Sequence, residues 1–199
     1  MTEKIYHERQ TLYRCGLHAL NNVLQDLQLH LFNRLRYVGP VFTKASLDAA
    51  CDELTQVNLD AGNGLMSWVW NPHKAPLGLG NYDVNALTLT LQQKGYVMQW
   101  VDKRQPVNDK LIKLDKIKGI LCNVVITTIL SNLWMQRHWF AIRKLHGVCY
   151  NLDSKLSAPR PFENDAKCYQ FLQELVATGE CELFVITKQV EETTSIDTH

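Results

Sequence analysis

The sequence lacks the features of secreted proteins, of membrane-spanning proteins and of nucleic-acid-binding proteins. Residues 1–6 are polar and contain no apolar core, so no secretory signal is predicted. The longest apolar region, around residues 120–130, is interrupted by Asn and Thr and falls short of the roughly 18 apolar residues of a membrane span. The net charge of +1 gives no basic excess of the kind that nucleic-acid-binding proteins carry. We therefore expect a cytoplasmic protein, with a nuclear location also open, that has no intrinsic membrane segment and binds no nucleic acid.

Closely spaced cysteine pairs are lacking as well. The chain has six cysteines, and no two of them are separated by two residues. Without a secretory signal, a disulfide framework is not expected. Cys15 and His18 are three residues apart on a predicted helix, but no second pair with comparable spacing could complete a zinc site. We expect no metal and no other cofactor.

Hydrophobic periodicity predicts one domain over residues 1–190, followed by a flexible polar tail at 191–199. Helices are predicted to begin at Cys15, at Ser46 as a capping residue, at Asp83 as an N-cap, and near Asp165. Strands are predicted at 96–101, 120–126, 138–145, 148–152 and 182–187. Because helices come mainly early and strands mainly late, the fold class is α+β with a mostly antiparallel sheet.

Cys15 lies where a thiol can act as a nucleophile. Leu17, Leu20, Leu24 and Leu27 follow it at helical spacing, so the cysteine opens a helix that buries one face. A thiol attacks as its thiolate, and the positive end of a helix together with a nearby imidazolium favours that form. A cysteine at a helix start is, by itself, more often a small packing residue. The interpretation therefore depends on partners elsewhere in the chain.

A predicted β-hairpin supplies two such partners. Residues 138–145 and 148–152 are apolar runs that flank a two-residue turn containing Gly. With that turn, Asp153 lies diagonally across from His138 on one face of the hairpin, and Asn151 lies one step farther away. The register therefore favours Asp153 over Asn151 as the group that orients the His138 imidazole. A bulge or an odd-length loop would reverse this choice.

Together these residues would form a Cys-His-Asp triad. His138 would take the proton of the Cys15 thiol and later protonate the leaving amine. Asp153 would fix the tautomer of the imidazole and stabilise the imidazolium. Gln10, five residues before the cysteine, could supply an amide donor to an oxyanion hole beside the backbone N–H of Cys15.

Simpler interpretations of the same residues stay open at this point. His138 precedes aromatic residues and could be a hydrogen-bonded core histidine, and Asp153 could be a turn residue. His7 and His18 are closer to Cys15 in sequence and could replace His138 as the base. His18, however, lies on the helix of Cys15 itself, and its side chain need not meet the thiol.

Five stretches, spread over most of the chain, match one family in the order in which that family has them: 6–10, 15 with 18–24, 80–85, 137–139 and 150–156. They resemble the Josephin family of deubiquitinating enzymes, especially its small single-domain members. The resemblance implies a papain-like cysteine protease fold, with an N-terminal catalytic helix and a helical arm packed on a mostly antiparallel sheet. It implies hydrolysis of isopeptide or peptide bonds at the C-terminal glycine of ubiquitin. It also implies Cys15 as nucleophile, His138 as base, Asp153 as orienting residue and Gln10 as oxyanion helper. Some relatives have Asn at the third position, which tunes the histidine and keeps the mechanism.

The resemblance also implies which partners the protein binds and suggests where ubiquitin could contact it. The partners are ubiquitin and ubiquitinated proteins, and we expect a monomer. Residues 26–76 correspond to the helical arm, and their length exceeds that expected of a small member. The candidate ubiquitin contacts are Trp139, Trp68, Trp70 and Trp134. Trp68 and Trp70 could instead be core residues, and we favour that interpretation slightly. The segment 127–136 reads as an extra loop that could cover the cleft as a gate.

Two other functions compete with a ubiquitin-specific protease. The same fold could be a weak or silent ubiquitin-binding module, although a complete set of site residues argues against silence. Another Cys-His-Asp enzyme, such as an amidase or acyltransferase, fits the chemistry equally well, and only the family resemblance disfavours it. The sequence alone predicts neither linkage preference nor the physiological substrate.

Overall fold

The computed structural model describes residues 5–10, 14–25, 27–29, 36–38, 40–60, 82–126 and 136–190. The helices in this part of the chain are α1 (Cys15–Leu24), α2 (Lys44–Asp60), α3 (Val84–Gln92) and α4 (Asp165–Ala177). The strands are β1 (Leu27–Leu29), β2 (Arg36–Val38), β3 (Tyr96–Trp100), β4 (Gly119–Ile126), β5 (Gln136–Leu145), β6 (Val148–Asn151), β7 (Arg160–Pro161) and β8 (Cys181–Lys188). The predicted α+β class is confirmed.

The strands β3 to β8 form one sheet in which all neighbouring strands are antiparallel. Their order is β3-β8-β4-β5-β6-β7, and β1 and β2 pair separately as a short antiparallel ladder. Strand side chains alternate between two cores, as the period of two requires. Trp139 and Ala141 of β5 belong to the core shared with α1, α2 and α3, whereas Phe140 and Ile142 belong to the core shared with α4. The sheet is therefore covered by helices on both faces.

The hairpin between β5 and β6 has the predicted register. Leu145 pairs with Val148 and Ile142 pairs with Asn151. The turn residues His146 and Gly147 both have positive φ, 51° and 81°, which is the conformation of a two-residue turn that matches the twist of its strands. Past the last pair, the Leu152 N–H donates to Ala141 O at 2.8 Å, so the alignment continues to the residue before Asp153.

The start of α2 differs from the prediction by two residues. Thr43, not Ser46, caps the helix: the N–H of Ser46 donates to Thr43 Oγ1 at 3.2 Å, and the N–H of Thr43 donates to Ser46 Oγ at 2.9 Å. This reciprocal pair is a capping box, in which the residue three places into the helix also carries an oxygen. The other predicted N-cap is confirmed, because the Asp83 carboxylate accepts from the Ala86 N–H at 2.9 Å.

The predicted helical arm at 26–76 falls only partly on described residues. Its first part contains the β1–β2 ladder, where the sequence showed no clear pattern, and its second part contains α2. Residues 61–81 lie outside the described part of the chain. The arm as a unit, the domain boundary at 190 and the tail at 191–199 stay predictions. None of the helices in the described residues is long and apolar enough to span a membrane.

Candidate active site

Cys15 is the first residue of α1, as the helical spacing predicted. Arg14 is the N-cap, and its carbonyl accepts from the His18 N–H at 3.2 Å, which closes the first turn of the helix. All ten residues of α1 are buried, and Cys15 is 4% exposed. An enclosed helix directs its N-terminal N–H groups and its positive end into a site with little water to screen them. The Cys15 side chain therefore lies at the N-terminal end of an enclosed helix.

His138 on β5 is hydrogen-bonded to Asp153. Its Nε2–H donates to Asp153 Oδ1 at 2.8 Å, and the side chains are 5% and 19% exposed. The imidazole stacks on Phe140 with ring centroids 6.0 Å apart, so both side chains lie on one face of the strand. The diagonal relation predicted from the hairpin thus brings the histidine and the carboxylate into direct contact.

Two opposing effects set the pKa of His138. Burial of the ring would lower it, but hydrogen bonds to Asp153 and to the Cys15 thiol, with the attraction of both groups for positive charge, outweigh burial and raise it above its ordinary value. For Asp153, burial would raise the pKa, but the hydrogen bond and charge of His138 prevail and lower it. Both shifts favour an imidazolium–carboxylate pair next to the sulfur.

Asn151 supports the loop of Asp153 through a hydrogen bond to its backbone. Its Oδ1 accepts from the Asp153 N–H at 2.9 Å. The carboxylate of Asp153 also accepts from the Lys155 N–H at 2.9 Å. The side chain that meets His138 is therefore that of Asp153, and Asn151 acts on its backbone.

The segment 5–10 lies against the Asp153 loop. The Gln10 N–H donates to Ser154 O at 2.7 Å, and His7 Nε2 donates to Asp153 O at 3.0 Å. Gln10 is thus fixed next to the loop by its backbone, five residues before Cys15. Its predicted role as an oxyanion donor stays a prediction.

The alternative bases His7 and His18 have other partners. His7 is bound to the Asp153 carbonyl, as described above. His18, 8% exposed, donates from Nδ1 to Glu8 Oε2 at 2.6 Å. Burial would raise the pKa of Glu8, but hydrogen bonds from His18, Tyr6 and Asn21 lower it. His138 is the histidine whose ring interacts with the thiol.

Two buried amides on α1 make hydrogen bonds near the site that the sequence analysis missed. Asn21 accepts from the Val41 and Phe42 N–H groups at 2.9 and 2.8 Å and donates to Glu8. Asn22 contacts Glu8 and Leu152, and both amides are at most 1% exposed. The signal was present in the sequence, because consecutive Asn residues inside an apolar helix must find hydrogen-bond partners.

The predicted ubiquitin-contact tryptophans receive little support from the described structure. Trp139 is 2% exposed and packs against Phe184, with ring centroids 5.6 Å apart, so it offers almost no surface to a partner. Trp68, Trp70 and Trp134 lie outside the described residues. Within those residues, no group of three or more His, Cys, Asp or Glu side chains could hold a metal ion.

This arrangement can perform nucleophilic catalysis by proton transfer. Because Nε2 of His138 donates to Asp153, Nδ1 is the ring nitrogen left to exchange a proton with the Cys15 thiol. Sulfur could then attack a carbonyl carbon, and the imidazolium could protonate the leaving amine. N–H groups at the start of α1 could bind the resulting oxyanion.

Comparison with known proteins identifies the family of the chain. The chain is 38% identical to human Josephin-2 and 37% identical to mouse Josephin-2, in each case over 94% of this chain and 89% of the relative. It is 25% identical to rat Ataxin-3 over 89% of this chain and 44% of that protein. The family model described as Josephin matches residues 10–187, from Gln10 through His138 and Asp153 to the last strand. The chain therefore belongs to the Josephin family and has its papain-like α+β fold.

Proposed function

We propose that this protein is a deubiquitinating cysteine protease that cleaves isopeptide or peptide bonds at the C-terminal glycine of ubiquitin. Cys15 attacks the glycine carbonyl, and His138 takes the thiol proton and gives it to the leaving amine. Asp153 orients the imidazole and stabilises the imidazolium, and Gln10 donates a hydrogen bond to the oxyanion. The observation that carries the proposal is the His138 Nε2–Asp153 Oδ1 hydrogen bond of 2.8 Å beside a helix-initial cysteine. Membership of the Josephin family supports ubiquitin as the substrate.

The reaction has two steps, acylation and deacylation of Cys15. In acylation the Cys15 sulfur bonds to the glycine carbonyl carbon, the C–N bond to the lysine or peptide amine breaks, and the amine takes its proton from His138. In deacylation His138 takes a proton from water, the hydroxide attacks the thioester, and the sulfur leaves as thiolate. Asp153 stays ionised throughout and stabilises the imidazolium in each step.

A ubiquitin derivative with a C-terminal electrophile tests the nucleophile directly. We expect the wild-type protein to gain the mass of one ubiquitin and the Cys15→Ala variant to gain none. Cys51→Ala is a matched control, because Cys51 is a fully buried cysteine on α2 with no part in the proposed reaction. Loss of the adduct in Cys15→Ala, together with adduct formation by Cys51→Ala at the wild-type rate, would support Cys15 as the nucleophile.

The same experiment separates the competing functions. Ubiquitin binding without an adduct would support a silent ubiquitin-binding module instead. If the protein neither bound ubiquitin nor formed an adduct, another substrate of a Cys-His-Asp enzyme would be favoured, and the ubiquitin assignment would be withdrawn. A cytoplasmic location and a monomeric state are part of the proposal and are tested by localisation of the tagged full chain and by its mass in solution.

A further inference from the structure

Asn22 lies at the junction of three of the four chain segments that carry the candidate site residues, the fourth being β5 with His138. It belongs to α1, two turns beyond Cys15. Its Oδ1 accepts from the Glu8 N–H at 2.6 Å, and its Nδ2 donates to Glu8 O at 3.2 Å and to Leu152 O at 2.9 Å. Glu8 is two residues before Gln10, and Leu152 directly precedes Asp153.

The contact with Leu152 completes the fixation of the Asp153 backbone. The carbonyl of the 152–153 peptide is held by Asn22 and its N–H by Asn151. The next carbonyl, that of Asp153, accepts from His7. Hydrogen bonds on both flanking peptides hold the Asp153 backbone, and the Lys155 N–H holds the Asp153 carboxylate, so the side chain is supported independently of His138.

Asn22 is suited to this role because it is rigid and enclosed. It is 0% exposed, and its amide satisfies three backbone groups that would otherwise be buried in the contact between segments. The Asn22 side chain is short, and it is held at its backbone by α1 and at its amide by hydrogen bonds. It therefore links the three segments in one relative position. No apolar residue of similar size could provide the acceptor and the donors together.

We propose that Asn22 is a positioning residue for the reaction: its amide holds the Gln10 segment, the Cys15 helix and the Asp153 loop in the relative positions that catalysis requires. This inference rests on the proposed function for its kinetic consequence, but its geometric content is independent of the substrate. Without the amide, Asp153 would reach His138 less often, and the imidazolium would lose part of its stabilisation.

The test compares Asn22→Ala with Asn21→Ala. Both variants truncate a buried amide on the same helix and leave backbone groups without partners, so both should unfold at lower temperature than wild type. Asn21 bonds the Val41–Phe42 backbone and the Glu8 carboxylate but, unlike Asn22, makes no hydrogen bond to residues 151–155. It is therefore the matched control for loss of a buried amide that does not reach the Asp153 loop.

The decisive readout is the titration of the His138 ring followed by NMR in the free protein, which needs no ubiquitin. We expect Asn22→Ala to lower the His138 pKa by roughly 0.5–1 unit, because the Asp153 contact is weakened, and Asn21→Ala to leave it within about 0.2 unit. With ubiquitin substrate, Asn22→Ala should lower kcat by roughly 10- to 100-fold with little change in KM, as expected when alignment of reacting groups is lost. Activities are compared after correction for the folded fraction.

The outcomes are distinguishable. Equal His138 titrations in wild type and Asn22→Ala, with activity that follows only the folded fraction, would overturn the proposal. A lowered pKa in Asn22→Ala together with no reaction of the wild type toward ubiquitin would retain the positioning role and reject the proposed function. If Asn22→Ala does not fold, Asn22→Ser keeps a polar atom at the junction, and the same titration and kinetics apply to it.

Discussion

Replacing Asp153 by Asn tests the electrostatic reasoning about the site most sharply. The substitution keeps the size of the side chain and an oxygen that can accept from His138 Nε2, and it removes the negative charge. In the native protein the Asp153 charge and hydrogen bond help to raise the His138 pKa against the effect of burial. Without the charge, the effect of burial is opposed less strongly, and the pKa of His138 falls.

The size of the effect follows from the contact. A charge in hydrogen-bond contact with an imidazole shifts its pKa by about 1–3 units; the Asp153 side chain is 19% exposed, so solvent reduces this value, and we expect about one unit. One unit corresponds to about 1.4 kcal/mol and to tenfold less imidazolium at pH values above the folded pKa. At those pH values kcat/KM should fall by roughly tenfold while some activity is retained.

The direction of the pH effect is fixed by the sign of the shift. Acylation requires imidazolium to protonate the leaving amine, so activity is lost as pH rises through the His138 pKa. A raised pKa extends activity to higher pH, and Asp153→Asn should move the alkaline limb of the kcat/KM profile to lower pH by about one unit. Hydrolysis of a ubiquitin C-terminal amide measured across pH gives this limb directly.

Two controls define the result that would refute the reasoning. Asp102→Asn removes the same charge from an exposed pair with Arg104, after the edge strand β3, and should leave the profile unchanged. Asn151→Ala removes the acceptor of the Asp153 N–H and should give only partial loss. Full loss in Asn151→Ala with normal activity and an unshifted limb in Asp153→Ala would show that the hairpin geometry had been misread.

Three further predictions concern the structure around the site. Gly119→Ala should lower the free energy of unfolding by about 1–3 kcal/mol, because a Cβ there would lie 2.5 Å from Val23 Cγ2 and 2.8 Å from a backbone oxygen; thermal unfolding measures it, and an unchanged Tm would contradict it. The folded-state pKa of Glu8 is lowered chiefly by His18, against burial, so this group stabilises the fold above its unfolded pKa and loses that contribution as pH falls through the folded pKa; Glu8→Gln should flatten stability below about pH 5, and an unchanged acid limb would reject the assignment. Deleting part of segment 127–136 should change KM or kcat for ubiquitin substrates if it gates the cleft, whereas unchanged kinetics would remove that hypothesis.

Local sequence patterns predicted those parts of the molecule whose geometry is decided locally. The two-residue turn at His146 and Gly147 fixed the β5–β6 register, and the register placed Asp153 diagonally from His138. Leu spacing predicted α1, and its first residue is Cys15 as expected. In each case the deciding interactions join residues a few positions apart.

The parts that were missed depend on contacts between distant segments. The Asn22–Leu152 hydrogen bond joins residues 130 positions apart, and the His7–Asp153 bond joins residues 146 apart. Neither leaves a periodic signal, because a single buried amide can bond any backbone group that packing brings near it. The start of α2 was misplaced for a local reason: Thr43 and Ser46 both carry capping oxygens, and the sequence does not indicate which one precedes the helix.

Different contacts of Asp153 control its position and its charge. The position of the residue is supported through the backbone, since Asn22 and Asn151 hold the peptide before Asp153 and His7 holds the carbonyl after it. Charge comes from the carboxylate alone and acts through the His138 pKa. An uncharged amide at position 153 would therefore still be aimed at the imidazole and would mainly move the pH limit of the reaction. Loss of the Asn22 amide displaces the Asp153 side chain relative to His138 and leaves its charge in place, so it should lower kcat as well as the His138 pKa.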